Sequence, residues 1–195
     1  MQSTFRICFL LGSLFFLSLG AGISYAEENP VLVLKTSLGD ITIELFEKEA
    51  PLSTKNFIEY AESGHYDGTI FHRIIDGFMI QGGGFSADMR QKKTNAPIKN
   101  ESSNGLENKK YTLAMARTSA PDSATSQFFI NTVDNDFLDR KKARDGVGYA
   151  VFGKVVDGIE VVDKMSRVKT TTKSGMQDVP VETISIEKVE RVKDK

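Results

Sequence analysis

Apolar residues along this chain occur in short runs, most of which alternate with polar residues as in β-strands that bury one face. The runs predicted to be strands are 31–36, 40–46, 69–75, 78–81, 111–116, 126–132, 149–156 and 182–189. The first two flank the compact turn Ser37-Leu38-Gly39 and form a predicted β-hairpin. The polar stretch from Ser86 to Lys110 is predicted to be mostly loop.

Two segments have the spacing of helices instead. One begins at Pro51, which suits the first turn of a helix, and ends before Gly64. Its apolar stripe consists of Thr54, Phe57, Ile58 and Ala61. The other runs from Gly158 to Met165. Many strands with two short helices, and no repeat or linker, favour a single mainly-β domain over a doubly wound sheet. The expected form is a closed antiparallel barrel capped by helices.

Residues 1–26 have the pattern of a secretory signal peptide. Arg6 supplies a positive n-region, Ile7 to Leu19 is an apolar run, and Ser24-Tyr25-Ala26 places small side chains at the usual cleavage positions. The alternative is a membrane anchor, for which the run is short against a span of ~20 residues. Cleavage before Glu27 removes Cys8, the only cysteine, so no intramolecular disulfide is expected in the mature protein.

The predicted mature domain, residues 27–195, is long enough for one domain with its own core. Arg6 is the only charged residue removed, so the formal charge changes from −1 to −2. This balance gives no basis for binding to nucleic acid or to a membrane surface. The only histidines, His65 and His72, have no cysteine or acidic cluster at metal-ligand spacing around them. Neither a metal nor another cofactor is predicted.

The stretch FHRIIDGFMIQGGGF, residues 71–85, places Arg73 among large apolar side chains. A guanidinium there must be paired or must face a ligand, because it cannot lose its charge. Arg73 is therefore either a functional group at the rim of an apolar pocket or a structural ion-pair residue. Two-residue alternation puts Met79 and Gln81 on one strand face, and Phe78 and Ile80 on the other.

Three glycines, Gly82 to Gly84, follow this pair of strands and would let the backbone pass close to another group. A phosphate-cradling loop is the alternative. It would need a Lys-Ser/Thr pair, whereas Phe85 and Ser86 follow the glycines here.

A second stretch, SQFFINTVDNDFLD, residues 126–139, again pairs an amide with an apolar side chain. Alternation puts Gln127 and Phe129 on one face, and Phe128 and Ile130 on the other. Phe129 is either part of a pocket beside Gln127 or an ordinary core residue with Gln127 merely exposed.

These two stretches, together with YTLAMAR and YAVFGKVVDG in the same order, resemble the cyclophilin family of peptidyl-prolyl isomerases. The resemblance covers about residues 31–189. Within it, the segment LAMAR is similar to the corresponding segment of the bacterial branch. It implies an eight-stranded antiparallel β-barrel closed by two helices, with a substrate groove on its outer wall. With the predicted signal peptide, it suggests an exported, periplasmic member that acts as a monomer on proline-containing segments of exported proteins.

The resemblance also implies a role for each matching residue, with Arg73 in the position of the catalytic arginine. Phe78, Met79, Phe129 and Leu138 match the pocket for the proline ring, Gln81 and Gln127 match orienting amides, and Ala116 and Arg117 match the pair bordering the groove. In the family the second of that pair holds substrate through its backbone, so the Arg117 side chain is not required. His72 is given a structural role.

The chain departs from the best-known eukaryotic members at two positions beside the implied pocket. Phe137 stands where they have a tryptophan and Tyr149 where they have a histidine, and the segment from Asp139 to Gly148 is longer. Both residues are retained as substrate-contacting positions. The tryptophan contributes to cyclosporin binding in the family, so the first change puts sensitivity to that drug in doubt.

Two other functions are consistent with parts of the sequence. A chaperone-like module could grip proline segments without catalysis, but it would need the apolar pocket and not Arg73 with its two glutamines. A serine hydrolase would need a nucleophile elbow, and no G-x-S-x-G sequence accompanies His72.

Overall fold

A computed structural model describes residues 28–192 as a barrel with two helices. Its strands are β1 (Val31–Thr36), β2 (Gly39–Leu45), β3 (Thr69–Ile75), β4 (Met79–Ser86), β5 (Thr112–Met115), β6 (Phe128–Asn131), β7 (Val151–Asp157), β8 (Thr170–Lys173), β9 (Met176–Pro180) and β10 (Ser185–Arg191). The helices are α1 (Pro51–Glu62) and α2 (Ile159–Ser166), with a 3-10 turn at Asp136–Leu138. The predicted signal peptide at residues 1–26 lies outside the described residues.

Eight of the strands close a barrel in the spatial order β1-β10-β3-β4-β6-β5-β7-β2. Every neighbouring pair is antiparallel. Each strand predicted from the sequence overlaps one of these eight, so the closed antiparallel barrel and its two helices are confirmed. The stretch between β4 and β5 is mostly irregular, again as predicted.

Alternating apolar residues fill the interior of the barrel. In the β1–β2 hairpin, Leu32 lies opposite Ile43 and Leu34 opposite Ile41, and none of the four is more than 1% exposed. Residues between them in β1 are only partly buried. This is the period of two that places one face of a strand in the core.

Helix α1 covers one opening of the barrel. It places Phe57 against Phe128 and Phe152, with ring centroids 5.3 and 5.5 Å apart. Pro51 stands at the start of the helix, where the lost amide hydrogen has no helical partner anyway. The carboxylate of Glu101 accepts hydrogen bonds from the backbone amides of Leu52 and Ser53 at 2.9 and 2.7 Å. A residue of the long loop thus caps the positive end of the helix dipole.

Strands β8 and β9 form a two-stranded hairpin outside the barrel that the sequence did not predict. All four residues of β8 are exposed, so no apolar alternation marks the strand. The turn residues Ser174 and Gly175 both have positive φ, as tight hairpin turns require. Val179 packs with Ile70 of β3 and Met89 in a small apolar cluster, and this contact fixes the hairpin beside β3.

A separate apolar cluster lies on the opposite side of the barrel wall from the main core. It consists of Met79, Ala114, Phe129, Leu138 and Val151. Phe128 and Ile130 belong to the main core, while Phe129 between them belongs to this outer cluster. The predicted alternation along residues 127–130 is therefore confirmed. No helix in residues 28–192 combines the length and hydrophobicity needed to cross a bilayer.

Candidate functional site

A pocket of about 240 Å³ opens above the outer apolar cluster. It is lined by Arg73, Phe78, Met79, Gln81, Ala116, Arg117, Phe129, Leu138 and Tyr149. Strands β3 and β4 supply Arg73, Met79 and Gln81, and β6 supplies Phe129. The segment between β6 and β7 supplies Leu138, at the end of its 3-10 turn, and Tyr149. The structure therefore brings together nine of the eleven residues singled out from the sequence.

Arg73 stands at the polar edge of this pocket, directly opposite Gln81 in the β3–β4 register. The Nη1 atom of Arg73 donates to Oε1 of Gln81 at 3.5 Å, and Nε2 of Gln81 donates to Oε1 of Gln127 at 2.9 Å. The first bond is at the long limit for a hydrogen bond and so is weak. The two amides form a chain that aligns the carbonyl oxygen of Gln81 with the guanidinium.

Arg73 also has an acidic neighbour. Its Nε lies 3.9 Å from Oδ2 of Asp178 in β9, and both side chains are about 40% exposed, at 40% and 38%. Such a half-exposed ion pair is weak. Arg73 therefore fits both interpretations of the sequence: it has an ion-pair partner, and it still lies at the edge of the pocket.

Apolar side chains form the rest of the pocket. Met79, Phe129 and Leu138 are no more than 8% exposed. The ring of Tyr149 lies edge-on to Phe129, with centroids 5.7 Å apart. Because the floor is packed from below by the barrel wall, its shape is set before any ligand enters.

Phe78 was predicted to face away from Met79, and this was wrong. Strand β4 begins at Met79, and Phe78 lies in the preceding turn, where its amide donates to the carbonyl of Ile75 at 3.1 Å. Alternation does not hold across a turn, so Phe78 and Met79 both line the pocket. The resemblance gave the correct placement where the periodicity did not.

Gln127 and Phe137 are the two predicted residues outside the pocket lining. Gln127 lines an adjoining depression of about 330 Å³, which shares Gln81, Ala116 and Arg117 with the pocket. Phe137 is 54% exposed and stacks on Phe78 with centroids 5.6 Å apart, so it lies at the rim. The two depressions share three lining residues and so form one continuous groove.

The three glycines of β4 permit close approach to the protein's own side chains. A Cβ atom on Gly84 would lie 2.4 Å from Cγ of Gln127. One on Gly83, whose φ is +80°, would lie 2.8 Å from Cε1 of Tyr66. The predicted close approach is thus explained by Gln127 and the core.

Arg117 borders the groove, but its side chain is engaged by contacts within the protein. Its side chain is 3% exposed and is held by Asp145, Gly148 and Tyr149. These partners follow Arg117 by 28 residues or more, so nothing in the local sequence marks the contact. A buried guanidinium whose nitrogens are occupied by its own chain is not free to bind a ligand.

His72 lies next to Arg73 but on the other face of β3, where its ring packs against Phe85 with centroids 4.6 Å apart. Burial lowers the pKa of His72 to about 4, so the ring is neutral at pH 7. Within residues 28–192, no three His, Cys, Asp or Glu side chains are grouped so as to hold a metal ion.

Comparison with known proteins gives one consistent family. Residues 31–191 match the family model described as "Cyclophilin type peptidyl-prolyl cis-trans isomerase/CLD". The chain is 52% identical to the peptidyl-prolyl cis-trans isomerase of Acinetobacter baylyi over 93% of this chain and 92% of that protein. It is 57% identical to peptidyl-prolyl cis-trans isomerase A of Dickeya dadantii over 86% and 87%. It is 56% identical to peptidyl-prolyl cis-trans isomerase B of Escherichia coli over 82% and 98%.

A solved structure agrees with these relatives. A cyclophilin type peptidyl-prolyl cis-trans isomerase of Cryptosporidium parvum superposes with a TM-score of 0.70 at 28% identity, covering 86% of this chain and 99% of that one. The same protein crystallised in the presence of the dipeptide Ala-Pro superposes with a TM-score of 0.69.

Proposed function

The chain belongs to the cyclophilin-type peptidyl-prolyl cis-trans isomerases, and from that premise we propose that Arg73 is the residue that carries its isomerase chemistry. The observation behind this proposal is that Arg73 is the cationic group with exposed surface at the edge of an otherwise apolar and amide-lined pocket. The other guanidinium there, that of Arg117, is almost fully buried.

The reaction needs no nucleophile, because its barrier comes from amide resonance. That resonance keeps the C–N bond planar and gives a cis/trans barrier of ~18–20 kcal/mol. Twisting the bond localises a lone pair on the prolyl nitrogen, which becomes a hydrogen-bond acceptor only near the transition state. The permanently charged guanidinium of Arg73 can donate to that nitrogen and so stabilise the twisted form more than either planar one.

The apolar part of the pocket receives the proline ring. Met79, Phe129 and Leu138 form its floor, and Phe78 and Tyr149 form its sides, with Phe137 at the rim. Holding the ring fixes the prolyl nitrogen relative to Arg73 and lowers the local dielectric constant. Ala116 and Gln127 border the groove beyond it, where the residues preceding proline lie.

Gln81 keeps the guanidinium in place for this step. Its carbonyl oxygen accepts from Arg73 while its amide nitrogen is engaged by Gln127, so the side chain cannot rotate without losing one of the two bonds. A neutral amide orients the arginine without neutralising its charge.

We also propose that the protein acts as a monomer on proline-containing segments of exported proteins and assists their folding in the periplasm. The support is the sequence pattern of residues 1–26, which is typical of a secretory signal peptide. Mapping the N-terminus of the protein in a periplasmic fraction tests the proposal. A start at Glu27 agrees with it, and an intact Met1 in a cytoplasmic fraction contradicts it.

The mechanism is tested by the cis-to-trans rate of a proline-containing tetrapeptide at 10 °C, where the uncatalysed step takes minutes. Residues 27–195, the Arg73→Ala variant and an Arg90→Ala control are compared, since Arg90 has a highly exposed side chain away from the pocket. We expect Arg73→Ala to lose roughly a hundredfold or more in kcat/KM, by analogy with removal of a transition-state donor, and the control to match the parent. An Arg73→Ala variant near the parent rate would show that Arg73 does not carry the chemistry, whereas no acceleration by the well-folded parent would favour the proline-binding module.

A further inference from the structure

The side chain of Arg117 joins β5 to the segment that precedes β7. Its Nε and Nη2 atoms donate to the carbonyl oxygen of Gly148 at 3.1 and 2.9 Å, and Nη1 donates to the carbonyl oxygen of Thr118 at 3.0 Å. Nη2 also donates to Oδ2 of Asp145. All three nitrogens are therefore engaged, and the side chain is 3% exposed.

Asp145 in turn closes the loop around this contact. Its Oδ1 atom accepts from the backbone amides of Val147 and Gly148 at 2.9 and 3.0 Å. These amide bonds, followed by the contact with Arg117, hold the pKa of Asp145 well below its usual range. One carboxylate thus shapes a tight turn with one oxygen and binds the arginine with the other.

The residue that follows this turn is Tyr149, a wall of the pocket. Its ring lies under the guanidinium of Arg117, with the carbon at the centre of the guanidinium 4.5 Å from the ring centroid. Its amide donates to the carbonyl oxygen of Leu138 at 3.0 Å. At Gly148, whose φ is +73°, the two ends of the loop run close together. A Cβ atom there would lie 2.7 Å from the carbonyl oxygen of Leu138.

Two residues that line the pocket, Leu138 and Tyr149, thus flank one loop, residues 139–148. Several contacts from outside the loop fasten it: Arg117 binds Asp145 and Gly148, Ser102 donates to the carbonyl oxygen of Val147, and Asn108 donates to Oδ1 of Asp139. Arg117 also packs on the ring of Tyr149. An irregular loop of this length has no ladder of its own to fix where its ends stand.

We propose that Arg117 and Asp145 are positioning residues, which hold Tyr149 against Phe129 and so set the width of the proline pocket. This rests on the proposed function, because it takes Tyr149 to be a wall of that pocket. The pair affects how tightly the pocket binds the proline ring, and it does not contact Arg73. Its loss therefore weakens substrate binding more than it slows the bound substrate.

The test uses Asp145→Asn in residues 27–195. Asn keeps an oxygen for the amides of Val147 and Gly148, so the substitution removes the charge and spares the turn. We expect KM to rise about threefold to tenfold with kcat within about twofold of the parent. The control is Lys142→Ala, because Lys142 lies in the same loop, forms an exposed ion pair at 2.6 Å with Asp136 of the preceding 3-10 turn, and does not line the pocket.

A double variant shows whether the pair acts through Tyr149. Tyr149→Ala alone raises KM, and adding Asp145→Asn to it is expected to change KM by less than about 1.5-fold, because contacting residues are not additive. Binding of the peptide measured by NMR titration separates KM from the chemical step.

Three results would overturn the proposal. They are an unchanged KM in Asp145→Asn, an equal rise in Lys142→Ala, or a full independent effect of Asp145→Asn in the Tyr149→Ala background. None of them bears on Arg73→Ala, so the positioning role and the arginine mechanism fail separately. Thermal unfolding of each variant confirms that the barrel is intact, which the exposed position of Asp145 makes the expected result.

Discussion

Asp178 and Arg73 meet at 3.9 Å between Oδ2 and Nε, where the β8–β9 hairpin lies against β3. The backbone of Asp178 has φ +62°, a conformation that few residue types other than glycine adopt readily. The hairpin outside the barrel therefore contributes one carboxylate to the candidate site. That carboxylate approaches a different nitrogen of the guanidinium from the one that Gln81 accepts from.

We expect Asp178→Asn to lower kcat/KM by about twofold to fivefold, because a half-exposed ion pair contributes little. Asn tolerates positive φ, so the hairpin keeps its shape. The difference from the parent should shrink in about 1 M salt, where charges are screened within ~3 Å. A faster variant, or a ratio that salt leaves unchanged, would contradict an orienting role for the carboxylate.

The amide chain predicts a larger effect at Gln81. Gln81→Met keeps the length of the side chain but removes both its acceptor for Arg73 and its donor to Gln127. We expect kcat to fall about tenfold, because loss of both bonds lets the guanidinium turn away from the prolyl nitrogen, and a small misplacement of a catalytic group is costly. Gln127→Met should lower it less, and the double variant should be no worse than Gln81→Met alone. Additive losses would show that the two amides act independently.

Substitutions at two neighbouring glycines of β4 are expected to have different effects, one on stability and the other on the isomerase rate. Gly83→Ala forces a Cβ into Tyr66 at positive φ, so the free energy of unfolding should drop by about 2–4 kcal/mol. Gly84 has no positive φ, and the three heavy atoms nearest to its Cβ would all belong to the Gln127 side chain. Gly84→Ala should therefore lower the isomerase rate at nearly parental stability. Urea unfolding and the peptide assay on both variants separate these outcomes, and equal loss of stability would be contrary to expectation.

His72 predicts how stability depends on pH. Its pKa is about 4 in the folded protein because of burial, against about 6.5 in an unfolded chain. Between these values the unfolded chain binds the proton and the folded protein does not. The free energy of unfolding therefore falls as pH drops from 7 toward 4, by up to about 3 kcal/mol from this residue.

Urea unfolding at pH 5 and pH 7.5 measures that slope, and His72→Phe should flatten it. Burial, and then the charge of Lys92, also lower the pKa of His65, which contributes with the same sign. His65→Phe is therefore the matched control and should flatten the slope less. A slope that is undiminished in His72→Phe would show that another group carries the pH dependence.

The barrel could be predicted from the sequence because its strands alternate or are apolar, and its helices carry a stripe. The β8–β9 hairpin could not, since the exposed residues of β8 give no period. In β9, the apolar residues that pack in the cluster beside β3 are only Val179 and Met176. For the same reason the partner of Arg73 in that hairpin could not be foreseen.

In the candidate site, the sequence predicted which residues lie close together. It did not predict the contacts that fix the position of each side chain. Alternation correctly separated Phe128 from Phe129 but failed at Phe78, which lies before the strand begins. Arg117 was placed at the groove by resemblance alone, whereas its burial depends on a contact 28 residues away. Side-chain partners so distant in sequence leave no periodic signal.

The seam of the barrel joins its first strand to its last, since β1 pairs with β10 from Leu32↔Arg191 to Thr36↔Ile186. Ring closure must therefore wait until almost the whole domain has been made, because β1 and β3 have open edges until β10 arrives between them. Such distant pairing is slow to form and leaves strand edges available for aggregation in the meantime. This peptidyl-prolyl isomerase is thus a chain whose barrel cannot close strand by strand from its N-terminus onward.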